Sequence, residues 1–282
     1  MSRSWFLWFP RRSLYRRPAT GWKTGGPRTL GQVDELSAVA SVPAVPLILE
    51  HLDTHDPGGV RGVYLYGSAV TSGLTVHSDV DLLVIVRRSL NQAERHQLSA
   101  LLLQVSGWSG HADDPAVSSR RPVELTVLVE HGSPRRIDYQ YGEWLRAEIA
   151  AGALSRPVSD PDAVVLRATA LDASRTLRGP HPDQLLEPVS ASELRAAMMG
   201  ALPDVLAGVD GDERNALLTL ARILVTVRTG RIVSKHVAAA QAGEWVPGVA
   251  GPLDQARREH LGEDGHSTQG ARSGTALVAD GI

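Results

Sequence analysis

His77-Ser78-Asp79-Val80-Asp81-Leu82-Leu83-Val84-Ile85-Val86 decides how this chain is built. Aspartate is depleted in strands, yet Asp81 runs directly into five aliphatic residues of the kind that fill a buried central strand. Turn chemistry explains Asp79, at the end of the loop before it, but leaves Asp81 unexplained. Strand side chains alternate with period 2, so the Asp79 and Asp81 carboxylates project from one face, where a rigid sheet meets solvent. Like charges held that close repel unless a cation sits between them. Hard oxygen donors of this kind suit a divalent ion such as Mg²⁺, which keeps room for substrate phosphates.

Upstream, the strand-like run Val63-Tyr64-Leu65-Tyr66 ends in Gly67-Ser68, eleven residues before Asp79. A small turn after a strand leaves backbone N–H groups free to meet phosphate. Downstream, Val123-Glu124-Leu125-Thr126-Val127-Leu128-Val129 is a further strand, with Glu124 on the face of Thr126 and Leu128. Beside the Asp79–Asp81 strand, Glu124 completes a three-carboxylate cluster able to hold two metal ions about 3.5–4 Å apart. Alternatively it takes the proton of an attacking hydroxyl as general base. A single glutamate at a strand start is ordinarily a solvated edge residue, so Glu124 gains weight only from its company.

The 282 residues suffice for two modest domains, and 43% hydrophobic content gives each a core. A formal net charge of -2 gives no global argument for a nucleic-acid partner. With no cysteine, disulfides, thiolate catalysis and Cys-ligated zinc are excluded. No apolar run reaches the ~18–20 residues of a membrane span. The expectation is a cytoplasmic protein, a monomer, without membrane or nucleic-acid partners. Residues 1–28 carry seven basic residues, no acidic ones and three of the six tryptophans. An export signal is one account. A weakly ordered or mis-started extension over 1–30 fits better, because Pro43 and Pro46 interrupt the following apolar stretch. The Gly-, Ser- and Ala-rich residues 263–282 read as a disordered tail.

Composition changes near residue 157. Before it lie the short β-branched runs, with helical spacing over 90–105; after it, apolar residues recur at three and four over 162–177, 190–206 and 212–229. The expected layout is an α/β (α+β) domain with a mixed sheet over 31–157, followed by an all-α helical bundle over 158–262. Asp212 precedes a strongly apolar helix and reads as its N-cap. Asp162 opens another helix, and Lys235, after Gly230, reads as a helix C-terminal cation. Arg222 is embedded among Leu217, Leu218, Leu220, Ala221, Ile223 and Leu224, which sets it apart from solvated surface charge. For Trp144 the residues leave two readings open, core packing and an exposed ring that stacks on a sugar.

Gly67-Ser68, Asp79-x-Asp81 and a distant strand carboxylate resemble the DNA polymerase beta-like nucleotidyltransferases. Leu65-Tyr66-Gly67-Ser68-Ala69-Val70, His77-Ser78-Asp79-Val80-Asp81, Tyr141-Gly142-Glu143-Trp144, Gly211-Asp212-Glu213-Arg214-Asn215, Leu218-Thr219-Leu220-Ala221-Arg222-Ile223, Thr229-Gly230 and Lys235 resemble one family within it, the aminoglycoside (3'')(9) adenylyltransferases. The similarity spans roughly residues 32–262. It implies Mg²⁺ (two ions) on Asp79, Asp81 and Glu124, with Glu124 also the base, and ATP as co-substrate. It implies that Gly67, Ser68 and Ser78 meet the phosphates, Asp162 lies near the nucleotide, Arg222 and Lys235 reach the triphosphate, and Trp144 and Asp212 meet a cationic antibiotic. Two positions depart from the family pattern: Gly208 stands where streptomycin-accepting members carry an acidic residue, with Asp210 the nearest substitute, and His260 stands where an aromatic lies near adenine. The implied reaction is transfer of AMP to an aminoglycoside or aminocyclitol hydroxyl, spectinomycin first and streptomycin second. The alternatives are a relative that acts on a protein or tRNA end, and a non-catalytic nucleotide binder.

Overall fold

A computed structural model describes residues 42–71, 78–107, 114–261 and 269–282. The expected extension over 1–30 lies outside them. In the first half the order is α1 (Ala44–His55), β1 (Val60–Tyr66), α2 (Ser68–Thr71), β2 (Val80–Val86), α3 (Gln92–Val105), α4 (Pro115–Ser118), β3 (Val123–Val129), β4 (Arg136–Ile137), β5 (Tyr139–Tyr141), α5 (Arg146–Ala150) and β6 (Val158–Ser159). Then follow α6 (Asp162–Asp172), β7 (Arg175–Arg178), α7 (Ala191–Ala207), α8 (Glu213–Thr229), α9 (Lys235–Trp245), α10 (Ala250–Leu261) and α11 (Gln269–Asp280).

Five strands form one mixed sheet in the order β5-β3-β2-β1-β7. β2 and β3 run parallel, joined by the crossover through α3, and the other neighbours run antiparallel. The two faces of the sheet serve different cores. Val63, Leu65, Leu82, Val84, Leu125 and Val127 pack on Ile48 and Leu52 of α1 and on Leu98 and Leu102 of α3. Tyr64, Tyr66, Leu83, Ile85 and Leu128 face the helical half and share one core with α6 to α11. Both faces being covered explains why β2 reads as a continuous aliphatic run rather than an alternation.

α8 is buried over most of its surface, including Asn215, Thr219 and Thr226. It is flanked by α7, α9, α10 and α11. α3 starts on a capping box at Asn91 and Glu94, and α7 on one at Ser190 and Glu193. Arg95 of α3 is buried and ties the corner before β5: its guanidinium donates to the Asp138 carboxylate at 2.8 Å and to the Asp138 and Ser155 carbonyls at 2.6 and 3.0 Å.

Two expectations are corrected. The helix expected over 162–177 ends at Asp172, and Arg175–Arg178 return to the sheet as an edge strand on β1. A division at 157 is therefore not clean. The alternating pattern of β7 is short and charged, as edge strands are, and its arginines pass for helix surface in sequence. The tail expected to be disordered contains α11 over Gln269–Asp280, which lies along α8. Ala271, Thr275 and Val278 of α11 are buried, and a Cβ on Gly274 would sit 3.1–3.2 Å from Pro252 and Leu217 side-chain atoms. Its small residues are what let the two helices approach. Among the described residues no helix is long and apolar enough to cross a membrane.

Candidate active site

The expected carboxylates meet at one end of the sheet. β2 begins at Val80, so Asp79 immediately precedes the strand. Asp81 lies opposite Tyr66 on β1 and opposite Glu124 on β3. Residues paired in register project to the same side, so Tyr66, Asp81 and Glu124 form a row on the face turned toward the helices. Gly67 ends β1 at φ +71°, and a Cβ there would lie 2.0 Å from Asp81 Oδ2. Any other side chain would be strained in this conformation and would also displace the carboxylate. Ser68 opens α2, whose Val70 and Thr71 amides turn back to the Gly67 carbonyl at 3.2 Å. The Ser78 carbonyl accepts from Arg121 at 2.6 Å, which fixes the chain just before Asp79.

The cluster is electrostatically strained. Burial holds the Asp81 carboxyl well above the usual carboxylate range, and Asp79 pushes it further; Arg222 and Lys235 work in the opposite direction. Glu124 is raised likewise by burial, by Asp81 and by Asp79, with which it shares a hydrogen bond. Crowded oxygen donors of this kind fit a hard divalent cation. Among the described residues no three such groups already converge as a coordination shell. A cation would thus have to draw Asp79 and Glu124 out of their mutual hydrogen bond.

The helical half answers with positive charge. Arg222, on α8, donates from Nε to the Val233 carbonyl at 2.9 Å. Burial lowers it to about 9, which still leaves it charged at neutral pH. Lys235 is the first residue of α9, at the N-terminal end of a helix and not the C-terminal one expected. Burial and Arg222 lower it to about 8, while Asp212 and Glu124 oppose the shift. Asp212 occupies the N-cap position of α8 but makes no capping bond. Its Oδ1 accepts instead from the Asn215 amide at 2.8 Å. The capping expected from sequence is thus replaced by a clamp within the first turn of the helix.

Two expected residues stand apart from this cluster. The charges that act on Asp162 are Asp160 and Asp204, not Asp79, Asp81 or Glu124. Its Oδ2 is buried without a hydrogen-bond partner. Trp144 belongs to a single turn over Glu143–Leu145 after β5 and is not one of the buried core residues. The outer edge of its six-membered ring comes against Gly142, where a Cβ would lie 2.2 Å from Cη2. Tyr141 pairs with Leu125, so the register puts Gly142 level with Glu124 and carries Trp144 past the same end of the sheet. Glu143 is held by Ser106 Oγ at 2.6 Å and Arg146 Nε at 2.7 Å, which anchors the turn.

Sequence alone did not single out Arg214, His236, Asn215, Tyr66 or Thr126. Arg214, His236, Arg222 and Lys235 all bear on His260, whose imidazole is pushed down to about 3, chiefly by burial, and is therefore neutral. The signal for Arg214 and Asn215 was their place beside Asp212. Tyr66 and Thr126 looked like ordinary strand residues.

Residues 45–113 match the nucleotidyltransferase domain model, and residues 184–280 match the C-terminal domain model of aminoglycoside adenylyltransferase. The chain is 42% identical over 210 residues to a spectinomycin 9-adenylyltransferase of Staphylococcus aureus, covering 72% of this chain and 79% of that one. It is 36% identical over 221 residues to an aminoglycoside (3'')(9) adenylyltransferase of Klebsiella pneumoniae, covering 76% and 82%. The fold superimposes with a TM-score of 0.76 and 26% identity on a spectinomycin adenyltransferase from Enterococcus faecalis solved with ATP and spectinomycin, over 86% of this chain and 98% of that one. This chain belongs to the aminoglycoside and spectinomycin adenylyltransferase family, built on a nucleotidyltransferase domain followed by a helical C-terminal region.

Proposed function

We propose that this chain transfers AMP from ATP to a hydroxyl of spectinomycin, with streptomycin as the second-choice acceptor, and so confers resistance. The observation that carries the reading is the register that sets Asp81 opposite Glu124 beneath Lys235 and Arg222. Carboxylates from the sheet lie within the electrostatic reach of cationic side chains from the helical half, the combination that transfer of a phosphoryl group uses.

Glu124 accepts the proton of the acceptor hydroxyl as general base. The hydroxyl oxygen forms its bond to the α-phosphorus while the bond to the pyrophosphate oxygen breaks. Arg222 and Lys235 hold the leaving pyrophosphate, whose negative charge grows as it departs. The Gly67-Ser68 turn and Ser78 contact the phosphates from the sheet side. Mg²⁺ held by Asp79, Asp81 and Glu124 would neutralise charge on the attacking and leaving oxygens. Asp162 serves the nucleotide from its own buried position. Asp212, oriented by Asn215, attracts an ammonium group of the drug, and the Trp144 ring offers a face to its sugar-like rings.

The test is pyrophosphate release with Mg·ATP across a panel of acceptors. Release is expected with spectinomycin and to fall by about 10²-fold or more in Glu124→Gln, given the usual worth of a general base. Label from ATP appearing on tRNA or protein instead of the drug overturns the proposal, as does full activity of Glu124→Gln.

A further inference from the structure

Four tyrosines fall among the described residues, and three use their hydroxyls. Tyr64 donates to the Pro180 carbonyl at 2.8 Å, Tyr139 pairs with Ser99 at 2.9 Å, and Tyr141 donates to Glu143 at 3.1 Å. The Tyr66 hydroxyl is buried and faces the Thr126 hydroxyl, which is buried too. Neither makes a hydrogen bond to any other group among the described residues. These two are neighbours: Thr126 lies two residues beyond Glu124 on β3, and the Tyr66 ring reaches across β2 toward it. Two hydroxyls with no partner but each other therefore sit next to the row of site carboxylates.

Such an arrangement is costly. An unpartnered buried hydroxyl loses its bonds to water without replacement, and phenylalanine and valine would fill the same space without that loss. Strand β3 is otherwise Val, Leu and Glu124, so a valine at 126 would match its neighbours. Nothing in the packing calls for either hydroxyl. Paired only with one another, the two hydroxyls leave one O–H with no acceptor.

We propose that Tyr66 and Thr126 are positioning residues for Glu124. Their hydroxyls hold its carboxylate, directly or through one water, once it has parted from Asp79 in the loaded site. The two donors bind the Glu124 oxygen that faces away from the substrate and stop the side chain from swinging. The inference rests on Glu124 being the base, as proposed above.

Tyr66→Phe, Thr126→Val, Thr126→Ser and Glu124→Gln test it, each read by thermal unfolding without ligands and by steady-state kinetics. Tyr66→Phe and Thr126→Val are expected to unfold at the same temperature as the parent or higher. Their kcat is expected to fall at least tenfold, with KM for ATP and for spectinomycin within twofold, and Thr126→Ser is expected to restore kcat. A merely structural role would lower the unfolding temperature and would not split kcat from KM, and that outcome overturns the proposal. Parental kcat in both Tyr66→Phe and Thr126→Val, with Glu124→Gln inactive, overturns it while the function stands. An active Glu124→Gln overturns the assignment of the base itself.

Discussion

Gly67→Ala separates what the turn contributes to folding from what it contributes to catalysis. Gly67 and Gly230 both sit at φ +71°, so alanine at either position carries the same left-handed strain, about 1–2 kcal/mol. Their surroundings differ. At Gly230 the new Cβ meets only Ala191 Cβ at 3.5 Å, an ordinary contact. At Gly67 it would meet Asp81 Oδ2 at 2.0 Å, with Cγ at 2.9 Å and Cβ at 3.4 Å. The clash falls on the tip of the side chain, so a swing of the Asp81 carboxylate by roughly 1 Å relieves it with little further loss of stability. Misplacement of a reacting group by about 1 Å costs on the order of 10²-fold in rate, near 2.7 kcal/mol of transition-state stabilisation. Urea unfolding should thus show similar losses for the two variants. Steady-state pyrophosphate release should show Gly67→Ala at least about 100-fold slower than Gly230→Ala. If both variants retain kcat within about threefold of the parent, Asp81 is not held by the Gly67 turn in the way the geometry requires.

Other expectations rest on separate parts of the molecule. Lys235 is lowered to about 8, so its charge is complete below that pH and lost above it; KM for ATP should climb as pH passes 8, and Lys235→Met should flatten the profile. The Asp162 carboxyl is raised by burial, Asp160 and Asp204, so its ionised form opposes folding at neutral pH. Asp162→Asn should therefore raise the unfolding temperature at pH 8, with the gain shrinking as pH falls toward the unfolded value of 3.8. Removing Asp138 leaves Arg95 buried without its carboxylate, and urea titration of Asp138→Ala should show a loss of about 3–5 kcal/mol. Gly208→Asp meets only ordinary contacts, at 3.6 Å or more, and should fold normally and improve use of streptomycin over spectinomycin in the acceptor panel. The native substitute is engaged elsewhere, because Asp210 pairs with Arg272 of α11 at 2.6 Å.

How much of this was legible in the sequence depended on whether a residue breaks its local rule. Asp81 does: a carboxylate at the head of an aliphatic strand has no local use, so it pointed to a site before any fold was known. Glu124 became legible through it, because parallel strands in register bring the two carboxylates together. Asp212 obeys its local rule so well that an N-cap was the natural expectation, and only the fold reveals the Asn215 clamp. The tail failed for a related reason: Gly, Ala and Ser resemble disorder when counted, whereas spaced at 271, 274, 275 and 278 they are what a helix needs to lie close against α8. Tyr66 and Thr126 mark the limit. Both are favoured strand residues, and their peculiarity is an unmet hydrogen bond that exists only once two strands are set beside β2. Consistency between local preference and final fold hides function, and function shows where a residue pays no local return for its place.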